Sequence, residues 1–170
     1  MNNLTNLLDK LRKYRWCHNH TSKYYSNRNK LFTIPPIIFS SASSFVILEQ
    51  HETSTTHYLS AVLSMLSAMI SGVSLHLGFN AKSECHLMSA NSYDELITKI
   101  DIFINFKQDT EPEESQTRLI EELEERILKI KGCNKYQIPQ WVFNKYKVFI
   151  QNESDANDLS ESESFVTSYI

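Results

Sequence analysis

Two Cys-His dipeptides carry the side chains of this chain that most suggest chemistry. Cys17-His18 and Cys85-His86 supply thiol and imidazole groups, which are common zinc ligands. Adjacent residues on a helix point about 100° apart, so neither dipeptide can hold a metal from one helical face. The sequence therefore predicts no metal site, and it gives no indication of another cofactor.

Motifs of known enzyme classes are missing from the sequence. The three glycines form no phosphate-binding loop, and no nucleophile, base and orienting group follow one another in a recognisable order. His76 lies near the end of an apolar run, where an interfacial residue is more common than a functional intramembrane group. We expect a protein that is not an enzyme and has no catalytic residues, and we expect it not to bind nucleic acid.

Two long uncharged runs occupy the middle of the chain. Of its 170 residues 41% are hydrophobic and 22% are charged, and the charges concentrate at both ends. Residues 31–48 and 58–79 contain no Asp, Glu, Lys or Arg, and as helices they would extend about 27 and 33 Å, enough to cross a bilayer. The polar residues 49–57 suit a connecting loop. The sequence predicts an all-α fold built on a two-helix transmembrane hairpin at 31–79.

Basic residues near the two runs predict the side of the membrane on which each terminus lies. Seven Lys and Arg precede residue 31 against the single acid Asp9, whereas residues 49–57 contain no Lys or Arg. Positive charge favours the cytoplasmic side, so we expect a multi-pass protein with two spans and both termini in the cytoplasm. The first 30 residues lack the apolar core of a signal peptide. Insertion is therefore expected to use the first hydrophobic helix.

Five serines of the second run recur at steps of four, three, four and three residues, which places them on one helical face. They are Ser60, Ser64, Ser67, Ser71 and Ser74. A water-facing stripe would normally carry Lys or Glu, whereas small hydroxyl side chains suit close helix packing in lipid. The stripe is predicted to pack helices or to line a pore, and both interpretations stay open. A soluble helical bundle is the alternative to the membrane interpretation as a whole.

Amphipathic helices are expected before and after the hairpin. Residues 1–30 are predicted to form a basic cytoplasmic helix that lies on the inner leaflet or packs on other helices. The leucines of its apolar face are Leu4, Leu7, Leu8 and Leu11. Residues 80–150 are predicted to form a cytoplasmic helical region, and 117–131 within it has heptad-like apolar spacing. Residues 151–170 are acidic, which is typical of a disordered tail. The 117–131 helix and the tail are candidate contacts for a protein partner.

The order of residues around the two runs resembles the SLATT family of two-transmembrane helical domains. The resemblance extends from about His18 to Ile104. Its matching positions include His18 or His20, Ser22, Tyr25, Asn29, Pro35, His86, Tyr93 and Leu96. Members of this family are regarded as membrane effectors of prokaryotic nucleotide-dependent conflict systems. The resemblance implies a homo-oligomer in the lipid bilayer that forms a pore or perturbs the membrane when a linked sensor is triggered.

A second function class stays open because the sequence shows no sensor or nucleotide-generating domain. In that class the hairpin is a structural membrane anchor or scaffold with no channel activity, for example in a viral membrane or capsid. The glycine-poor composition, with its asparagines and lysines, would suit such a source.

Overall fold

A computed structural model describes residues 2–48, 54–106 and 113–152. These ranges are helical apart from short connections, and they contain no strand. The helices are α1 (Asn2–Leu48), α2 (Ser54–Leu77), α3 (Phe79–Phe106) and α4 (Glu113–Cys133). A C-terminal helical segment covers residues 140–152. The all-α class expected from the sequence is therefore what the structure shows.

Helix boundaries differ in two places from those expected. α1 continues through residues 30 and 31 without a break and contains both Pro35 and Pro36. The change at residue 31 is thus one of polarity, since no glycine or proline precedes residue 35 to interrupt the helix. α2 begins at Ser54, so the last four residues of the expected loop, 54–57, are helical. The remaining loop residues, 49–53, lie outside the described part of the chain, as does the predicted tail beyond residue 152.

Gly78 separates α2 from α3. Its φ of 58° lies in the left-handed region, which side chains with a Cβ rarely adopt. Its N–H donates to the Ser74 carbonyl at 3.2 Å, and its own carbonyl accepts from the Lys82 N–H at 3.1 Å. Backbone hydrogen bonding is therefore maintained across the junction of α2 and α3.

The chain divides into two compact units, each with its own interior. Unit 1 comprises Met1–Thr21 and His86–Ile170, and unit 2 comprises Ser22–Cys85. α1 contributes its first part to unit 1 and its second part to unit 2. The break between α2 and α3 lies within unit 2.

Unit 1 has a conventional apolar core formed by α1, α3 and α4. The core residues are Leu4, Leu8, Leu11, Tyr93, Leu96, Ile97, Ile100, Phe103 and Leu123. Their spacing of three or four residues along α1 and α3 gives each helix one buried face. The leucine face of α1 therefore packs on protein. The heptad-like face of α4 does so as well, because Ile127 and Ile130 pack against the core beside the fully buried Leu123.

The C-terminal helical segment packs on α1 through aromatic side chains. Val142 is fully buried. Trp16 stacks on His20 with ring centroids 4.9 Å apart and contacts Tyr146 edge-on at 5.3 Å. Trp141 contacts the same His20 ring at 5.9 Å. Both tryptophans of the chain consequently lie in unit 1.

Unit 2 pairs α2 with the second part of α1 in antiparallel fashion. Ser43 of α1 contacts Ser60 near the start of α2, and Ser40, earlier in α1, contacts Ser67, later in α2. Residue numbers thus fall along one helix as they rise along the other.

Candidate functional site

Serine side chains form the contact between α1 and α2, and we call this contact the serine seam. Its members are Ser40 and Ser43 of α1 and Ser60, Ser64 and Ser67 of α2. The Ser43 hydroxyl lies 2.8 Å from that of Ser60 and 2.9 Å from that of Ser64. The Ser40 and Ser67 hydroxyls lie 2.9 Å apart. These distances are those of O–H···O hydrogen bonds.

Two seam serines also bond to the backbone of the facing helix. The Ser43 hydroxyl donates to the Ser60 carbonyl at 3.2 Å. Ser67 donates to the Pro36 carbonyl at 3.0 Å. Ser43, Ser60 and Ser67 are each at most 7% exposed. The first three stripe serines therefore face α1 of the same hairpin. Ser71 and Ser74 are half-buried further along α2, so the stripe continues past the bonded part of the seam.

The outer surface of this helix pair is apolar. Phe45, Met65 and Leu75 are 73%, 64% and 84% exposed, and large apolar residues are exposed along both helices. Two helices are long and apolar enough, by length and composition, to cross a membrane, and 11% of the apolar window of each is buried. The arrangement is the reverse of a water-soluble bundle, because hydroxyl groups lie inside and hydrocarbon lies outside.

Aromatic and basic side chains cluster at the end of unit 2 that contains the first residues of α3. The Phe79 ring lies 6.2 Å from that of Tyr25 and 5.6 Å from that of Phe32. The Lys82 ammonium lies 5.8 Å from the centroids of both Tyr25 and Phe79. Rings and cations of this kind are enriched where a membrane protein meets the headgroup region.

A buried histidine pair forms the polar centre of unit 1. Nδ1 of His18 on α1 lies 3.0 Å from Nδ1 of His86 on α3. His18 is 4% exposed and His86 is fully buried. The Tyr93 ring lies 5.6 Å from that of His18. Three of the positions named for the SLATT resemblance, His18, His86 and Tyr93, are thus brought together in one cluster.

Asn134, which follows α4, favours one tautomer of the histidine pair. Its Oδ1 accepts the Tyr136 N–H at 3.1 Å, so its Nδ2 is the atom that faces His18 Nδ1 at 3.3 Å and Ser89 Oγ at 3.2 Å. An amide nitrogen only donates. This contact favours the tautomer in which the His18 Nδ1 lone pair accepts from the Asn134 amide and from a proton on His86 Nδ1.

Burial keeps both imidazoles neutral. Desolvation, with a smaller contribution from the nearby His86, lowers the pKa of His18 from 6.5 to about 4. Desolvation also lowers the pKa of His86. Burial raises the pKa of Tyr93 to about 12. The cluster is consequently uncharged at neutral pH.

The cysteines take no part in this cluster as metal ligands. No group of three or more His, Cys, Asp or Glu side chains is placed to hold a metal among the described residues. Burial raises the pKa of the Cys17 thiol to about 11, which leaves it protonated and a poor ligand. Cys85 is half-buried and Cys133 is exposed, and no disulfide joins the cysteines of the described residues.

Of the other residues named for the resemblance, Tyr25, Asn29 and Pro35 belong to unit 2, whereas Leu96 belongs to the apolar core of unit 1. Tyr25 belongs to the aromatic cluster near Phe79, and the Asn29 carbonyl accepts from the Thr33 hydroxyl at 2.8 Å. Pro35 is half-buried within α1, and His76 is exposed near the end of α2. Sequence reasoning missed Asn134 and the direct contact between His18 and His86. The sequence feature that could have suggested this contact is the pair of Cys-His dipeptides, which contain His18 and His86.

Comparison of the chain with protein-family models, with curated proteins and with solved structures finds no match.

Proposed function

We propose that the chain is an integral membrane protein in which the helix pair of residues 31–79 crosses the bilayer twice. The observation that carries this proposal is the reversed polarity of unit 2, with buried hydroxyl groups and exposed hydrocarbon. In water such a surface would favour aggregation. In lipid the outward side chains meet acyl chains, and hydrogen bonds between serines stabilise the helix contact.

Both termini are assigned to the cytoplasmic side under this proposal. The seven cations before residue 31 support that orientation. Lys82 supports it too, because this cation follows the second apolar run and lies beside Tyr25, which precedes the first. Unit 1 would then be a cytoplasmic helical domain.

A structural anchor is the function that this geometry supports best. The hydroxyls of Ser60, Ser64 and Ser67 are bonded within the hairpin, which favours packing over lining a pore. The hairpin would hold unit 1 at the membrane, and no catalytic activity is assigned to the chain.

A self-associating membrane effector is the second candidate function. Ala61, Ala68 and Gly72 lie exposed on α2, and a Cβ added at Gly72 would meet nothing within 4 Å. Small residues at such spacing allow transmembrane helices of separate copies to approach closely. This surface and the SLATT resemblance together favour a homo-oligomer that perturbs the bilayer.

Topology is tested by labelling single cysteines in whole cells with a membrane-impermeant maleimide. In a cysteine-free background, Cys133 restored alone should react only after the cells are permeabilised. Glu52→Cys in the same background should react in intact cells. Carbonate extraction should leave the protein in the membrane fraction. Release into the supernatant, or labelling of Cys133 in intact cells, would overturn the proposed topology.

Packing by the seam is tested with a matched pair of serine substitutions. Ser43→Ala removes hydroxyl contacts to Ser60 and Ser64 and should destabilise the hairpin by about 1 kcal/mol, because each interhelical bond is worth about 0.6 kcal/mol on average. Ser41→Ala removes only a bond to the Ile37 carbonyl of its own helix. SDS titration followed by circular dichroism compares the two. Equal effects would contradict the seam.

The effector candidate is tested with dye-loaded liposomes. Two results together would favour the effector. The purified protein should release a small dye, and Gly72→Leu should reduce both this release and the amount of crosslinked oligomer. Dye retention with normal insertion would favour the anchor.

A further inference from the structure

A pocket of about 400 Å³ opens in unit 1 beside the histidine cluster. α1 and α3 supply Tyr14, His18 and Tyr93 to its wall, and α4 with the following residues up to 143 supplies the rest. The volume falls within the range of pockets that bind small molecules. Neither the seam nor the membrane-facing surface of unit 2 uses this pocket.

Aromatic rings make up much of the wall. The Tyr14 and Tyr93 rings are stacked, with centroids 5.7 Å apart and planes 18° apart. Tyr136 and Phe143 line the pocket as well. Ring faces and edges of this kind pack well against a flat ring. The wall therefore favours an aromatic ligand.

Neutral hydrogen-bonding groups are interspersed among the rings. Gln137 and Gln140 contribute side-chain amides to the lining, and each amide can donate and accept. The buried His18 imidazole also belongs to the wall. A few convergent polar groups in a largely apolar pocket are what orients a small ligand.

The charge of the wall has one sign. No Asp or Glu is among the lining residues, and Lys131 is their one cation. Its ammonium lies 5.4 Å from the Tyr14 ring centroid, which holds the charge beside the aromatic wall. A negative group on a bound ring would meet this ammonium, and none of the described lining residues carries a carboxylate to oppose it.

We propose that this pocket binds a small aromatic acid, with its ring against the wall formed by Tyr14, Tyr136 and Phe143 and its acidic group facing Lys131. The amides of the wall then provide hydrogen bonds to the ligand's polar edge. This site is separate from the anchoring and effector roles proposed for unit 2.

The test uses the full chain in phosphatidylcholine nanodiscs and 2-naphthoate as the probe. Saturation-transfer difference NMR should show saturable binding above that of empty nanodiscs. 2-Naphthylmethylamine carries a similar ring with the opposite charge, and it should show no saturable binding. Equal binding of the two compounds, or no saturable binding of naphthoate, would overturn the proposal.

A pair of lysine variants tests where the probe binds. Lys131→Glu should weaken naphthoate binding roughly tenfold, as expected for reversing a unit charge about 6 Å from the ligand's acid. Lys129→Glu places the same charge on an exposed part of α4 outside the lining, and it should bind like the parent. Both positions are exposed, so neither variant should unfold the protein. A loss shared equally by both variants would refute the site, whatever the topology of the hairpin.

Discussion

Acidification should destabilise unit 1 through its histidine pair. The pKa of His18 is about 4 in the folded protein against an ordinary 6.5, so the folded state binds fewer protons than the unfolded state between these values. The associated stability is fully present above pH 6.5 and falls as the pH decreases to about 4. The gap corresponds to about 3 kcal/mol in total, of which about 2 kcal/mol is lost by pH 5.

The geometry gives a reason for this cost beyond desolvation. The only unprotonated nitrogen of His18 in the assigned tautomer is Nδ1, which already faces the Asn134 amide and the His86 N–H. A proton added there would point at two donors and break both hydrogen bonds. His86, with its lowered pKa, should add to the loss.

Tryptophan fluorescence is the assay suited to this prediction, since both tryptophans lie in unit 1. For the protein in micelles, the urea concentration at which half of the molecules are unfolded should be lower at pH 5 than at pH 7.5. His18→Asn combined with His86→Asn should lower stability at pH 7.5 and flatten the pH dependence, whereas His57→Asn, at an exposed site, should leave it unchanged. A double variant with the parent's full pH dependence would refute the reasoning.

Two further predictions concern stability and use matched controls. Leu123→Ala, at a fully buried position, should cost about 2–5 kcal/mol, whereas Leu128→Ala, at a position 69% exposed, should cost far less in the same urea experiment. Gly78→Ala should destabilise by about 1 kcal/mol because its φ is positive, although the added Cβ would meet nothing within 4 Å. Gly72→Ala should be neutral or stabilising in the same SDS titration, because Gly72 is an ordinary helical glycine; the reverse order would contradict the backbone argument.

Local patterns in the sequence were sufficient to predict the helices and the helical face that carries the serines. Apolar spacing of three and four residues marks the buried faces of α1, α3 and α4, and the uncharged runs mark the helices of unit 2. α1 continues through the division expected at residue 30, because hydropathy changes there while helix propensity does not. Polarity and backbone conformation are separate properties of the chain, and only the first changes at that point.

The histidine cluster could not be derived from spacing alone. His18 and His86 are 68 residues apart, and Asn134 lies 116 residues from His18. Their meeting depends on how α1, α3 and the end of α4 pack, which no local period encodes. The argument from helix geometry set aside a metal site shared by the two Cys-His dipeptides, and it did not consider a direct contact between one histidine from each helix.

The repeating steps of the serine seam affect how the register of α1 and α2 is set. Hydroxyls recur at each turn of α2, so a slide of one turn, about 5.4 Å, would bring equivalent serines opposite Ser43. Hydroxyl bonding alone therefore distinguishes poorly between neighbouring registers. The non-repeating contacts at the other end of unit 2 distinguish them, because the Ser83 hydroxyl bonds the Ser22 carbonyl at 3.0 Å and Phe79 packs on Tyr25. The contacts at this end of unit 2 thus set the register of α1 and α2, whereas the serine seam alone is compatible with several registers.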